Sequence, residues 1–77
     1  MSRTKEFEFH VQMRPWYGSP VCTVVIEAIN LNSAIKKAVK AEPEGVWYWC
    51  NNEVVYTNQK QLDYFQKLNP DTIFYHH

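Results

Sequence analysis

The sequence predicts a two-layer α+β domain, an antiparallel sheet packed by two helices in the order β-β-α-β-β-α, with residues 1–77 forming a single small domain. Three observations predict it. Apolar and polar residues alternate from Phe7 to Met13, the period of a half-buried strand. Leu31, Ala34, Ile35, Ala38 and Val39 recur at the spacing of one helical face. Between Trp47 and Tyr56 the run WYWCNNEVVY places Asn51-Asn52 at the centre of aromatic and β-branched residues, the pattern of a hairpin with a two-residue turn.

In the first strand Phe7, Phe9, Val11 and Met13 face one way, with Glu6, Glu8, His10 and Gln12 between them. Arg14 to Pro20, RPWYGSP, holds two prolines and a glycine, so the chain must turn there. The second strand runs from Val21 to Ala28, with Cys22, Val24, Ile26 and Ala28 on one face. A connection this short favours antiparallel pairing with the first strand. Asn30 is placed to cap the first helix. Lys36, Lys37 and Lys40 lie off its apolar stripe, and Pro43 turns Glu42 away from helical geometry, so this helix should stop near Ala41.

For the hairpin, a two-residue turn sets Cys50 opposite Glu53, Trp49 opposite Val54, Tyr48 opposite Val55 and Trp47 opposite Tyr56. Trp47, Trp49, Val54 and Tyr56 would then share one face, and Tyr48, Cys50, Glu53 and Val55 the other. One face should meet the core and the other a partner, with the helices covering a single side of the sheet. Asn58 caps a second helix carrying Leu62, Tyr64, Phe65 and Leu68, which Asn69-Pro70 ends. Ile73, Phe74 and Tyr75 leave two readings open, a short C-terminal edge strand or a packed tail.

The run TVVIEAINLNSAIKKAVKAEPEG, Thr23 to Gly45, resembles a pattern seen in small phage-encoded or bacterial accessory α/β proteins of unknown function. In these, a strand ending in Ala leads through a capping Asn into an Ala-spaced helix. The resemblance implies a small accessory domain and carries over no catalytic or binding residue.

Composition narrows the function classes. Eight basic and eight acidic side chains cancel, so the chain lacks the excess positive charge that gives nucleic-acid binders their affinity. No segment approaches the roughly 18 apolar residues of a membrane span, and MSRTKEFEF has no apolar secretory core, which makes a cytoplasmic protein the expectation. Cys22 and Cys50 lie in apolar strand patterns and read as free thiols. No nucleophile, base and orienting group fall into a recognisable motif, no paired ligand spacing suggests a metal, and two glycines offer no phosphate-cradling loop. His10 and Cys22 should point to opposite faces, which keeps them from pairing. His76 and His77 carry no functional argument.

What remains is an aromatic fraction of 16%, concentrated in Trp16, Tyr17, Trp47, Tyr48, Trp49 and Tyr56. These are the expected partner-binding residues, because Trp and Tyr supply contact area at low rotamer cost. Trp16 and Tyr17 either stand exposed in their loop or fold back as a lid over the sheet end. The expected function is a non-enzymatic protein-interaction module, an inhibitor or accessory protein, with a protein partner or a second copy of itself and with no cofactor. The alternative is a nucleic-acid-binding domain that stacks bases on sheet aromatics beside Arg3, Lys5, Arg14 and Lys60.

Overall fold

The computed structural model describes residues 3–16, 18–72 and 74. Six elements follow in the expected order: β1 (Lys5–Gln12), β2 (Val21–Ala28), α1 (Leu31–Ala41), β3 (Trp47–Cys50), β4 (Glu53–Thr57) and α2 (Gln59–Leu68). The strands form one antiparallel sheet in the order β2-β1-β3-β4. This is the small α+β domain that the alternating strand pattern and the helical stripe require. β1 pairs with β2 along its whole length, from Lys5 opposite Ala28 to Gln12 opposite Val21. Alternation carries Phe9 and Val11 into the core and leaves Glu6, Glu8 and His10 outside.

The Asn30 side chain accepts a hydrogen bond from the Ser33 amide at 2.9 Å, satisfying one of the donors that the first helical turn leaves free. α1 then buries Ala34 and Ala38, with Ile35 and Val39 beside them, against Phe9, Val11, Ala28, Tyr48 and Cys50. At the other end the Glu42 amide closes onto the Ala38 carbonyl at 2.9 Å, and Pro43 prevents a further turn.

The hairpin turns where the two asparagines place it. Asn51 and Asn52 adopt φ values of 53° and 64°, the left-handed region that a type I′ turn needs and Asn tolerates. Cys50 faces Glu53 and Trp49 faces Val54, as expected, but beyond them the register changes. A bulge lets Tyr56 oppose Tyr48 and Thr57 oppose Trp47, so Val55 is the extra residue. Tyr56 therefore shares the face of Tyr48, their rings meeting edge-on at 5.5 Å, and does not stand beside Trp47 and Trp49. Val55 packs into the cluster under α1, while the smaller Thr57 occupies the side that α2 covers.

The expectation that the helices cover a single sheet face is also corrected. Successive β3 side chains alternate between two apolar clusters. Tyr48 and Cys50 join the one beneath α1, and Trp47 and Trp49 join a second with Val46, Leu62, Phe65 and Phe74. The helices thus flank β3 on both sides. Asn58 anchors α2: its amide donates to the Val46 carbonyl at 2.8 Å, its side-chain carbonyl accepts from the Gln61 amide, and its side-chain NH2 donates to the Pro43 carbonyl. Of the four apolar residues expected on the α2 stripe, Leu62 and Phe65 are buried and Tyr64 and Leu68 are exposed. The proposed C-terminal strand falls on Ile73 and Tyr75, which lie outside the described residues, while Phe74 between them is buried in the second cluster.

Candidate functional site

The expected partner-binding residues separate into core and surface. Trp47 and Tyr48 are core, because the cover on both sides of β3 leaves neither accessible. Trp49 is half-buried and donates its indole N–H to the Gln12 side-chain oxygen at 3.2 Å. Tyr56 keeps an exposed edge on β4 while packing on Tyr48. Tyr17 lies outside the described residues. Trp16 stands 41% exposed in the β1–β2 loop.

That loop is held by a short polar network. The Gln12 side-chain NH2 donates to the carbonyls of Arg14 at 3.2 Å and Trp16 at 3.1 Å, while its oxygen accepts from Trp49. One amide group thus ties the Trp16 turn to the sheet, and the two carbonyl acceptors and one N–H donor fix which end of the amide points where. Ser19, buried, adds a bond from its hydroxyl to the Arg14 carbonyl at 2.8 Å and one from its amide to the Trp16 carbonyl at 3.2 Å. Pro15 is fully buried beneath the turn, and Met13 closes the ladder onto the Pro20 carbonyl at 3.1 Å. Gly18 takes φ 79°, which lets the chain reverse without Cβ strain.

Held this way, the loop folds onto α2. The Trp16 ring meets Phe65 edge-on with centroids 5.8 Å apart, and Tyr64 meets the same Phe65 at 5.5 Å. The Arg14 guanidinium sits 5.4 Å from the Phe65 centroid and 6.0 Å from that of Trp16, within cation–π range of both. Tyr64 is 55% exposed and Leu68 60%. At about 100° per residue these two lie on one side of Phe65 and buried Leu62 lies on the other, so α2 is wedged with one apolar edge in and one out. Trp16, Tyr64 and Leu68 are thus exposed around the buried Phe65, with a cation over the rings. Between loop and helix runs a groove lined by Met13, Arg14, Pro20, Gln61, Tyr64 and Phe65, with Glu44 also on its wall.

Of the expected residues that are described, the structure brings only Trp16 to this surface. Tyr64 and Leu68 read in the sequence as core stripe. The sequence held no signal that separated them from Leu62 and Phe65, because the stripe marks apolar residues without marking how wide a face the sheet covers. Arg14 appeared only as one of several scattered cations.

The remaining reactive groups do not converge on this surface. Cys22 and Cys50 are free thiols. Burial and then the Glu42 carboxylate, 3.7 Å from the Cys22 sulfur, push the Cys22 thiol up from its ordinary value, and burial does the same to Cys50. His10 pairs across the sheet with Thr23, Nδ1 to Oγ1 3.2 Å, on the face opposite Cys22. Among the described residues no group of three or more His, Cys, Asp or Glu is placed to hold a metal ion, and no helix is long and apolar enough to cross a membrane. Comparison with protein-family models, curated proteins and solved structures finds no match.

Proposed function

We propose that this protein is a small non-enzymatic interaction module that docks onto another protein through Trp16, Tyr64 and Leu68, with Arg14 as its charged contact. The observation that carries this reading is the aromatic surface itself: large apolar side chains left 41%, 55% and 60% exposed around a buried Phe65. The loop presenting Trp16 is fixed in place by Gln12 and Ser19. A rigid aromatic anchor loses little conformational entropy on binding, which is the property of interface hot spots. Among the described residues Arg14 has ring contacts and no carboxylate partner. The complementary surface is then a protein that offers an apolar side chain beside a carboxylate. Such contact acts by occupation: a partner whose own binding surface is covered is inhibited, and one that is bridged is assembled.

The test is capture of partners by the wild-type chain and by Trp16→Ala combined with Tyr64→Ala, with circular dichroism establishing that the variant folds. A protein bound by the wild type should lose affinity by about 2 kcal/mol or more with the variant, the scale of a hot-spot truncation. Equal capture by both chains contradicts the proposal. Affinity for nucleic acid that falls steeply with salt and survives the substitutions would replace it with base and phosphate recognition.

A further inference from the structure

We infer that the outer edge of β2 pairs with β2 of a second copy, joining two sheets into one across a two-fold axis through Thr23. The inference goes beyond the docking surface at α2 and uses none of its residues.

The direction of the β2 backbone follows from two hydrogen bonds. The Met13 amide donates to the Pro20 carbonyl at 3.1 Å, and the Val46 amide donates to the Gln12 carbonyl at 2.8 Å. In an antiparallel ladder these groups alternate sides residue by residue. Continued along the β1–β2 register, the alternation turns the N–H and C=O groups of Cys22, Val24 and Ile26 toward β1, and those of Val21, Thr23, Val25 and Glu27 outward. The Glu27 carbonyl confirms the direction, since it accepts from the Lys37 ammonium at 2.8 Å and not from a strand. Among the described residues, Val21, Thr23 and Val25 therefore present outward backbone groups with no strand beside them, on an edge strand.

The two edges of the sheet are not alike. β4 is five residues long and is bulged against β3, features that blunt an edge. β2 is eight residues long, pairs with β1 without a bulge, and contains no Lys, Arg or Pro. It also carries exposed apolar side chains, Val21 at 56% and Val25 at 59%, on the open side of the sheet.

A second copy fits this edge better than an arbitrary strand because the pattern is self-complementary. A two-fold axis at Thr23 sets Thr23 opposite Thr23 of the second copy, and Val21 opposite Val25 of the second copy, twice over by symmetry. Each of these pairs exchanges two backbone bonds, for about six in all. The exposed valines cover each other as cross-strand pairs. Glu27, whose carbonyl Lys37 already occupies, falls outside the new ladder. A register centred on Val25 would instead draw Glu27 into it opposite Thr23 and would set Val21 opposite Ile29, beyond the end of the strand. The axis also brings together the C-terminal turns of the two α1 helices, since Cys22 lies beside Glu42.

Sedimentation equilibrium over a concentration series tests the inference, combined with residue-resolved amide exchange. The mass should rise with concentration from 9.2 kDa to twice that value. In parallel the Thr23 and Val25 amides, exposed in the monomer, should slow by about tenfold or more as their groups become paired. Val25→Lys and Thr23→Pro leave the backbone ladder to β1 whole, the second giving up only the exposed Thr23–His10 side-chain bond, and both should remain monomeric with an unchanged circular dichroism spectrum. A chain that stays at 9.2 kDa throughout overturns the inference, as does a dimer that persists in both variants. A dimer lost with Trp16→Ala and Tyr64→Ala but kept in Val25→Lys would place self-association at α2 and refute the β2 edge.

Discussion

Gly45→Ala is the sharpest test of how closely the connection into β3 approaches the core. A Cβ built on Gly45 would lie 2.1 Å from Val11 Cγ1 and 3.0 Å from the Cζ and hydroxyl oxygen of Tyr48, far inside the 3.4 Å at which ordinary contact begins. Neither neighbour can simply swing away. Val11 and Tyr48 are both fully buried, and the Tyr48 hydroxyl donates to the Glu42 carbonyl. Overpacking of this kind costs about 1–3 kcal/mol, and disturbing the tyrosine bond adds about 1 kcal/mol. The loss of chain entropy in the unfolded state returns only about 0.4–1 kcal/mol. The net destabilisation should be about 1–3.6 kcal/mol, which for a domain of this size lowers the thermal midpoint by roughly 4–8 °C for each kcal/mol. Urea unfolding followed by tryptophan fluorescence measures it. Val11→Ala in the Gly45→Ala background should recover part of the loss, because it removes the closest atom, giving a favourable coupling in the double-mutant cycle. A Gly45→Ala midpoint equal to that of the wild type would refute the reasoning.

Three further outcomes follow from the local geometry. Replacing Asn51 and Asn52 together by Val forces β-branched residues into φ values of 53° and 64° and should cost about 1–3 kcal/mol per residue; an unchanged urea midpoint would remove the turn from its assigned place. Gln12→Glu turns a carboxylate oxygen toward the Arg14 and Trp16 carbonyls in place of an N–H donor. It should cost about 1 kcal/mol at this partly exposed site and raise the accessibility of Trp16 to a fluorescence quencher, while unchanged quenching would show that Gln12 does not hold the loop. The thiols of Cys22 and Cys50 and the hydroxyl of Tyr48 are all raised, chiefly by burial, from ordinary values of 9.0 and 10.0. A raised folded value means that the stability tied to the protonated group is complete below its unfolded pKa and is lost as pH rises through the folded one. The urea midpoint should therefore fall above about pH 9, and a midpoint that stays flat or rises there would contradict this.

The sequence revealed the elements more fully than their faces. Asn30, the stripe from Leu31 to Val39 and Pro43 fix α1 through local chemistry alone, and Asn51-Asn52 fix the turn because few other residues accept positive φ. The bulge at Val55 has no such local signature. It arises where Val55 packs under α1 and Tyr56 meets Tyr48, a decision made by tertiary packing. For the same reason the alternation of β3 was legible, but not that α2 would seal the Trp47 side. Once it does, Trp47 and Tyr48 become core, and the accessible aromatic surface shifts to Trp16 and to the outer edge of α2. Trp16 could be read as a surface residue from its proline-bounded loop. Tyr64 and Leu68 could not, since a helical stripe shows which residues are apolar and not how wide a face the sheet will cover.

The docking surface is tested most directly by a hydrogen-exchange footprint on a purified complex with a captured protein partner. The account predicts protection in the β1–β2 loop around Arg14 and Trp16 and in α2 from Gln61 to Leu68, with α1 and its Lys36, Lys37 and Lys40 face unchanged. A footprint confined to the α1 lysines or to the open face of β1 and β2, with the Trp16 loop exchanging as in the free chain, would contradict it.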